Sequence, residues 1–174
     1  MVARCLFTSS GATSAGRSGL WSAEELAMVD GIQQGTPGTG TQTLVNNMRP
    51  ATILVVDDDE AVRGLLQEAL DLYGYTVVVA ATSQEAEDAL QRLDPATIGL
   101  VIIDIHLTAD PHAQEGYVLY QRWTTAHPTL PFLLISGDPN SQTLPAIATG
   151  VVRFLAKPFS LTELLQAVQA LVRT

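Results

Sequence analysis

Four acids follow directly on four apolar residues in the run Ile53-Leu54-Val55-Val56-Asp57-Asp58-Asp59-Glu60. Carboxylates this close repel one another and raise one another's pKa, so the run makes chemical sense beside a cation. Further along, Asp104 ends the apolar run Leu100-Val101-Ile102-Ile103, Ser136 ends Phe132-Leu133-Leu134-Ile135, and Lys157 follows Phe154-Leu155-Ala156. Three carboxylates, a hydroxyl and an ammonium in one crevice suit a hard divalent cation with oxygen ligands, and Mg2+ is the expected one. The same groups suit phosphoryl chemistry. A carboxylate can form an acyl phosphate. The cation, Lys157 and the Ser136 hydroxyl can then each stabilise an equatorial oxygen of the phosphoryl group. Asp104 stands alone at the end of its run and is the expected nucleophile. Asp59 and Glu60 read instead as helix-start acids, favoured by the helix dipole.

For these groups to meet, the apolar runs must be neighbouring strands. From residue 51 onward the hydrophobic period switches repeatedly between strand and helix. Strands are expected at 53–56, 76–80, 100–103, 132–135 and 151–155. Between them, Val62, Leu65, Leu66, Ala69, Leu70 and Tyr73 fall at helical spacing, with Gly74 as the stop. Thr82 and Glu85 predict a capping box ahead of Ala86, Ala89, Leu90 and Leu93, with Pro95 closing that helix. Leu119, Tyr120 and Trp123 mark a helix closed by His127-Pro128, Trp123 being read as a packing residue and His127 as solvent-facing. Leu144, Ile147 and Ala148 predict only a poor helix, interrupted by Pro145 and ended at Gly150. Ser160 with Glu163, and Phe159 with Leu164, predict a capped and stapled last helix carrying the stripe Leu164, Leu165, Val168, Leu171 and Val172. Five strands alternating with five helices imply an α/β fold, with a parallel sheet covered on both faces. Ligands in such folds bind outside the carboxyl ends of the strands, where Asp57, Asp58, Asp104, Ser136 and Lys157 are all expected.

The segments Leu54-Val55-Val56-Asp57-Asp58, Leu100-Val101-Ile102-Ile103-Asp104, Leu134-Ile135-Ser136-Gly137 and Phe154-Leu155-Ala156-Lys157-Pro158-Phe159 together resemble the receiver domain of bacterial response regulators. The resemblance covers residues 52–174. It implies a flavodoxin-like (βα)5 three-layer sandwich with five parallel strands in the order 2-1-3-4-5. It implies that Asp104 is the phosphoacceptor, taking a phosphoryl group from a sensor histidine kinase or a phosphotransfer protein. It implies Mg2+ held directly by Asp58 and Asp104, through water by Asp57, and by the backbone carbonyl of His106. Ser136 takes the family's switch hydroxyl position, Lys157 pairs with the phosphoryl group, and Phe154 matches the aromatic whose rotamer follows the hydroxyl. The bond before Pro158 is expected to be cis. The sequence departs from the pattern at Thr108, where the family usually has Pro, and in a longer loop between Asp104 and Gly116 that holds Pro111 and His112. Pro145 weakens the helix that usually serves output and dimer contacts.

Composition agrees with this reading. The chain has 174 residues, 47% of them apolar, enough for one domain with a substantial core plus an extension. Net charge is −9, and residues 1–50 are neutral, so the charge lies in the domain from residue 51. That argues against direct nucleic-acid binding and against an anionic membrane surface. No apolar run approaches the ~18 residues of a membrane span. Cys5 is the single cysteine, which excludes an internal disulfide and points to a reducing, cytoplasmic setting. Residues 1–50 read as a low-complexity extension with a short helix at 23–33, capped by Ser22 and Glu25, and a linker from Gly35 to Thr41. Three functions are compatible with the site. The first is a non-enzymatic receiver switching a downstream protein in two-component phosphorelay signalling. The second is a Mg2+-dependent aspartyl-nucleophile phosphohydrolase, for which Asp57-Asp58-Asp59 offers an Asp-x-Asp spacing. The third is a receiver-fold interaction module without phosphotransfer.

Overall fold

The computed structural model describes residues 51–172 apart from residues 95, 109–112 and 151. The extension 1–50, with its expected helix at 23–33 and Cys5, lies outside the described residues, as do Pro95, Pro111, His112 and Val151. The chain alternates strictly between strand and helix. In order it forms β1 (Thr52–Val56), α1 (Glu60–Leu72), β2 (Thr76–Ala80), α2 (Ser83–Arg92), β3 (Ile98–Asp104), α3 (Glu115–Ala126), β4 (Phe132–Ser136), a 3-10 turn (Pro139–Thr143), α4 (Pro145–Ala148), β5 (Arg153–Ala156) and α5 (Leu161–Leu171). The strands pair in parallel in the order β2-β1-β3-β4-β5. The order reverses between β1 and β3, which opens a crevice at their carboxyl ends.

Strands β1, β3 and β4 are apolar at successive positions because both faces of the sheet are covered. Their residues alternate between two cores. Ile53, Val55, Leu100, Ile102, Leu133 and Ile135 join Val62, Leu66, Leu164 and Val168 under α1 and α5. Leu54, Val56, Val101, Ile103, Phe132 and Leu134 join Ala86, Leu90, Leu119, Tyr120 and Trp123 under α2 and α3. The edge strands β2 and β5 are less covered, and Val79 in β2 is exposed.

The helix starts follow from their caps. Asp59 is the N-cap of α1, and its carboxylate accepts the backbone N–H groups of Ala61 and Val62. Ser160 and Glu163 form the complete capping box of α5. Thr82 caps α2 as expected, but the Glu85 carboxylate accepts the N–H of Ala81 rather than that of Thr82, so the box closes one residue early. Gly74, at φ 84°, ends α1 in the left-handed region that glycine tolerates.

Three expectations are corrected. Pro145 does not interrupt the fourth helix: it occupies the first turn of α4, where a missing N–H costs nothing. The polar stretch before it forms a 3-10 turn, which the hydrophobic period does not reveal. The fifth strand, expected at 151–155, is Arg153–Ala156: it runs one residue further, to the position where Ala156 pairs with Ser136, and residue 151 lies outside the described residues. His127, expected to face solvent, is half-buried as the C-cap of α3, with its N–H on the Trp123 carbonyl.

Candidate functional site

The three central strands each lead into a polar residue at the carboxyl end, and all three of these residues are buried. Asp57 follows β1, Asp104 closes β3 and Ser136 closes β4, while Lys157 follows β5. The register aligns Asp104 with Ile135 and Ser136 with Ala156, so these ends lie at one level of the sheet. Oxygen atoms from Asp57, Asp58 and Asp104 all lie within 4.8 Å of one another. Asp57 and Asp104 are buried, while Asp58 is exposed at the mouth.

The acids are held rigidly. Asp57 accepts the Asp59 N–H at 3.0 Å on one carboxylate oxygen and the Lys157 ammonium at 2.8 Å on the other. Asp104 accepts the His106 N–H at 3.0 Å on one oxygen and Lys157 at 2.5 Å on the other. Lys157 thus bridges the two strand ends from β5, and its bond to Pro158 is cis.

One cation against three carboxylates leaves the site strongly negative. Burial pushes the Asp57 carboxyl up to about 6. The Lys157 charge and hydrogen bond pull the other way, and the Asp104 charge adds to the rise. For Lys157, burial alone would lower the pKa, but the charges of Asp104 and Asp57 outweigh it and the net direction is up. A cluster of oxygen donors, part buried and part open, with a surplus of negative charge, fits a hard divalent cation such as Mg2+.

Ser136 has the register of the site but not its partners. Its hydroxyl accepts the Asp138 N–H at 3.0 Å and the Ser141 hydroxyl at 3.0 Å, and it lies 3.2 Å from Nδ1 of His106. None of these bonds goes to Asp57, Asp58, Asp104 or Lys157. Phe154 is half-buried and packs against the core under α2 and α3.

Four further residues act on the site without having been singled out in the sequence. Arg63, at the end of the first turn of α1, donates at 2.7 Å to the Asp57 carbonyl. It is the single cation of α1, which was a legible signal. Gly116 brings α3 so close that a Cβ there would lie 1.8 Å from the Asp104 carbonyl oxygen. Its position just inside a helix start carried no signal of its own. Ser141 and Asp138 sit in the aperiodic turn after β4 and carried none either.

Comparison with known proteins agrees with the geometry. Residues 53–169 match the model of the family described as Response regulator receiver domain. The transcriptional regulatory protein PmrA of Pectobacterium parmentieri is 37% identical over 124 residues, 70% of this chain and 52% of its own. The C4-dicarboxylate transport transcriptional regulatory protein DctD of Rhizobium meliloti is 32% identical over 117 residues, 67% of this chain and 24% of its own. The chain therefore spans about half the length of the one relative and about a quarter of the other. Among solved structures, the signal receiver domain of an HD domain-containing protein from Pseudomonas fluorescens Pf-5 superposes with a TM-score of 0.61 at 30% identity. It covers 71% of this chain and 94% of that one. The chemotaxis protein CheY4 of Vibrio cholerae does so with a TM-score of 0.58 at 25% identity, covering 71% and 100%. Fold, strand-end acids and matched sequence lead to one conclusion: the chain belongs to the response regulator receiver domain family.

Proposed function

We propose that residues 51–174 act as a phospho-accepting receiver, with residues 1–50 as an extension outside it. The observation that carries this reading is the placement of Asp104, which is buried at a strand end, bridged by Lys157 to Asp57, and set within the acid cluster. In this reading an Asp104 carboxylate oxygen attacks the phosphorus of a phosphohistidine on a sensor kinase or phosphotransfer protein. The P–O bond forms as the P–N bond breaks, and the imidazole leaves with the electron pair. Asp58, Asp104, the His106 carbonyl and, through water, Asp57 would hold Mg2+, which would supply charge neutralisation at the phosphoryl oxygens. Lys157 moves its hydrogen bond from Asp104 to a phosphoryl oxygen, keeping its hold on Asp57. The His106 N–H keeps the second Asp104 oxygen fixed, so the attacking oxygen is presented in one orientation. The Ser136 hydroxyl then turns toward the phosphoryl group, Phe154 follows, and the change is read by a downstream protein.

The role is a signalling switch in which turnover is at most slow self-dephosphorylation. A phosphohydrolase of the Asp-x-Asp type is disfavoured, because the carboxylate of Asp59 is committed to capping α1. Among the described residues no helix is long and apolar enough to cross a membrane.

The test is incubation with a small acyl phosphate donor and Mg2+, followed by intact mass measurement. The native protein is expected to gain one phosphoryl group, labile to hydroxylamine, and Asp104→Asn none. Absence of a labile adduct on the native protein refutes the reading. Steady release of phosphate from small phosphomonoesters establishes the hydrolase instead.

A further inference from the structure

A serine hydroxyl has one hydrogen to give and two lone pairs to receive with. At Ser136 all three are in use. The Asp138 N–H and the Ser141 hydroxyl occupy the acceptor sites, which leaves the hydrogen for Nδ1 of His106. Nδ1 accepts it in the tautomer that carries the ring hydrogen on Nε2. That nitrogen is buried without a hydrogen-bond partner, and the Asp138 carboxylate is 3.9 Å away. The two partners that would be abandoned are poorly placed to find others, since Ser141 is fully buried and the His106 ring is mostly covered. Strand alternation adds to this. Asp104 continues the face of β3 that packs under α1 and α5, whereas Ser136 continues the face of β4 that packs under α2 and α3. The hydroxyl is thus fully bonded at the end of the face opposite to the one that Asp57 and Asp104 continue.

We propose that His106 and Ser141 form a latch that holds the Ser136 hydroxyl in its resting orientation, making the His106 imidazole a positioning residue for the switch. The inference rests on the receiver reading above. Any phosphoryl group on Asp104 must compete with the latch for Ser136, because the hydroxyl has no spare capacity to bond both. Latch strength therefore sets how much of the phosphorylated protein reaches the switched state. His106 is suited to this through its neighbour: its own N–H fixes Asp104 while its ring holds Ser136, so one residue spans both groups.

The experiment uses trifluoroberyllate with Mg2+, a tetrahedral phosphoryl analogue that bonds to a carboxylate oxygen, titrated by fluorine NMR on the full chain. His106→Leu and Ser141→Ala each remove one latch bond and are expected to bind the analogue about threefold to tenfold tighter than the native protein, the value of one net hydrogen bond. Both are expected to unfold at lower urea in the absence of analogue. His106→Asn, whose amide oxygen can take the place of Nδ1, is expected to return toward native affinity. A purely structural role predicts the opposite sign, with weaker binding alongside lower stability, and that result overturns the latch. Equal affinity in native and both variants also overturns it. If the native protein neither binds the analogue nor takes up label at Asp104, the receiver reading itself fails and the latch falls with it.

Discussion

Replacing Asp57 by Asn should make the metal-free protein more stable at neutral pH, although it deletes an ion pair. The carboxylate is fully buried, and burial, reinforced by Asp104 and only partly countered by Lys157, pushes its pKa from 3.8 to about 6. Between those two values the native state holds a proton that the unfolded chain has released. Native stability from this group therefore falls as pH rises through the window, and it levels off above about 6. A rise of about two pH units, at about 1.4 kcal/mol each, makes the full effect about 3 kcal/mol. The Asn amide carbonyl can still accept the Asp59 N–H, so the β1–α1 turn is preserved. Urea unfolding in EDTA from pH 4 to 7.5, followed by fluorescence of the core residue Trp123, gives the difference between variant and native protein. That difference should shift in favour of the variant by about 3 kcal/mol across the window. Added Mg2+ should remove most of it, since the ion favours the ionised carboxylate of the native protein. A difference that stays flat with pH would refute the assignment of a destabilising charge to Asp57.

Lys157→Met leaves Asp57 and Asp104 facing each other without a cation, so stability at pH 7.5 in EDTA should fall by about 3 kcal/mol. Mg2+ should restore much of that loss, as measured by the urea midpoint. Gly116→Ala forces a methyl into the Asp104 carbonyl and should cost at least about 2 kcal/mol in urea unfolding while slowing phosphoryl uptake from a small donor. Ser160→Ala breaks the α5 capping box and should cost about 1 kcal/mol in the same assay, with phosphoryl uptake unchanged.

The parts of the molecule that were legible in the sequence are those set by periodicity and local chemistry. The apolar runs of β1, β3 and β4, the caps of α2 and α5, and the glycine stop of α1 depend on residues within a few positions of one another. Asp57, Asp58, Asp104 and Lys157 were legible because strand ends in a parallel sheet must converge. The 3-10 turn was not, because a polar stretch presents no stripe; of α4 the poor helix was legible from Leu144, Ile147 and Ala148, but not that Pro145 starts it. The surroundings of Ser136 were hidden for a different reason. Its contact with His106 spans 30 residues and depends on the backbone path of an aperiodic turn that also buries Ser141. Type and spacing placed the hydroxyl at the right strand end, but its partners are a tertiary fact. Gly116 is similar, since its need for close approach exists only once α3 lies against the end of β3.

The sheet also divides the apolar interior into two clusters that share no residue, one under α1 and α5 and one under α2 and α3. Substitutions in separate clusters meet only through strand backbone, so their costs should add, whereas two within one cluster should couple. Sequence drift can then proceed on each side independently. A receiver of this build can refashion the packing beneath α2 and α3 over many generations while the packing that steadies Asp57, Asp104 and Lys157 stays as it is.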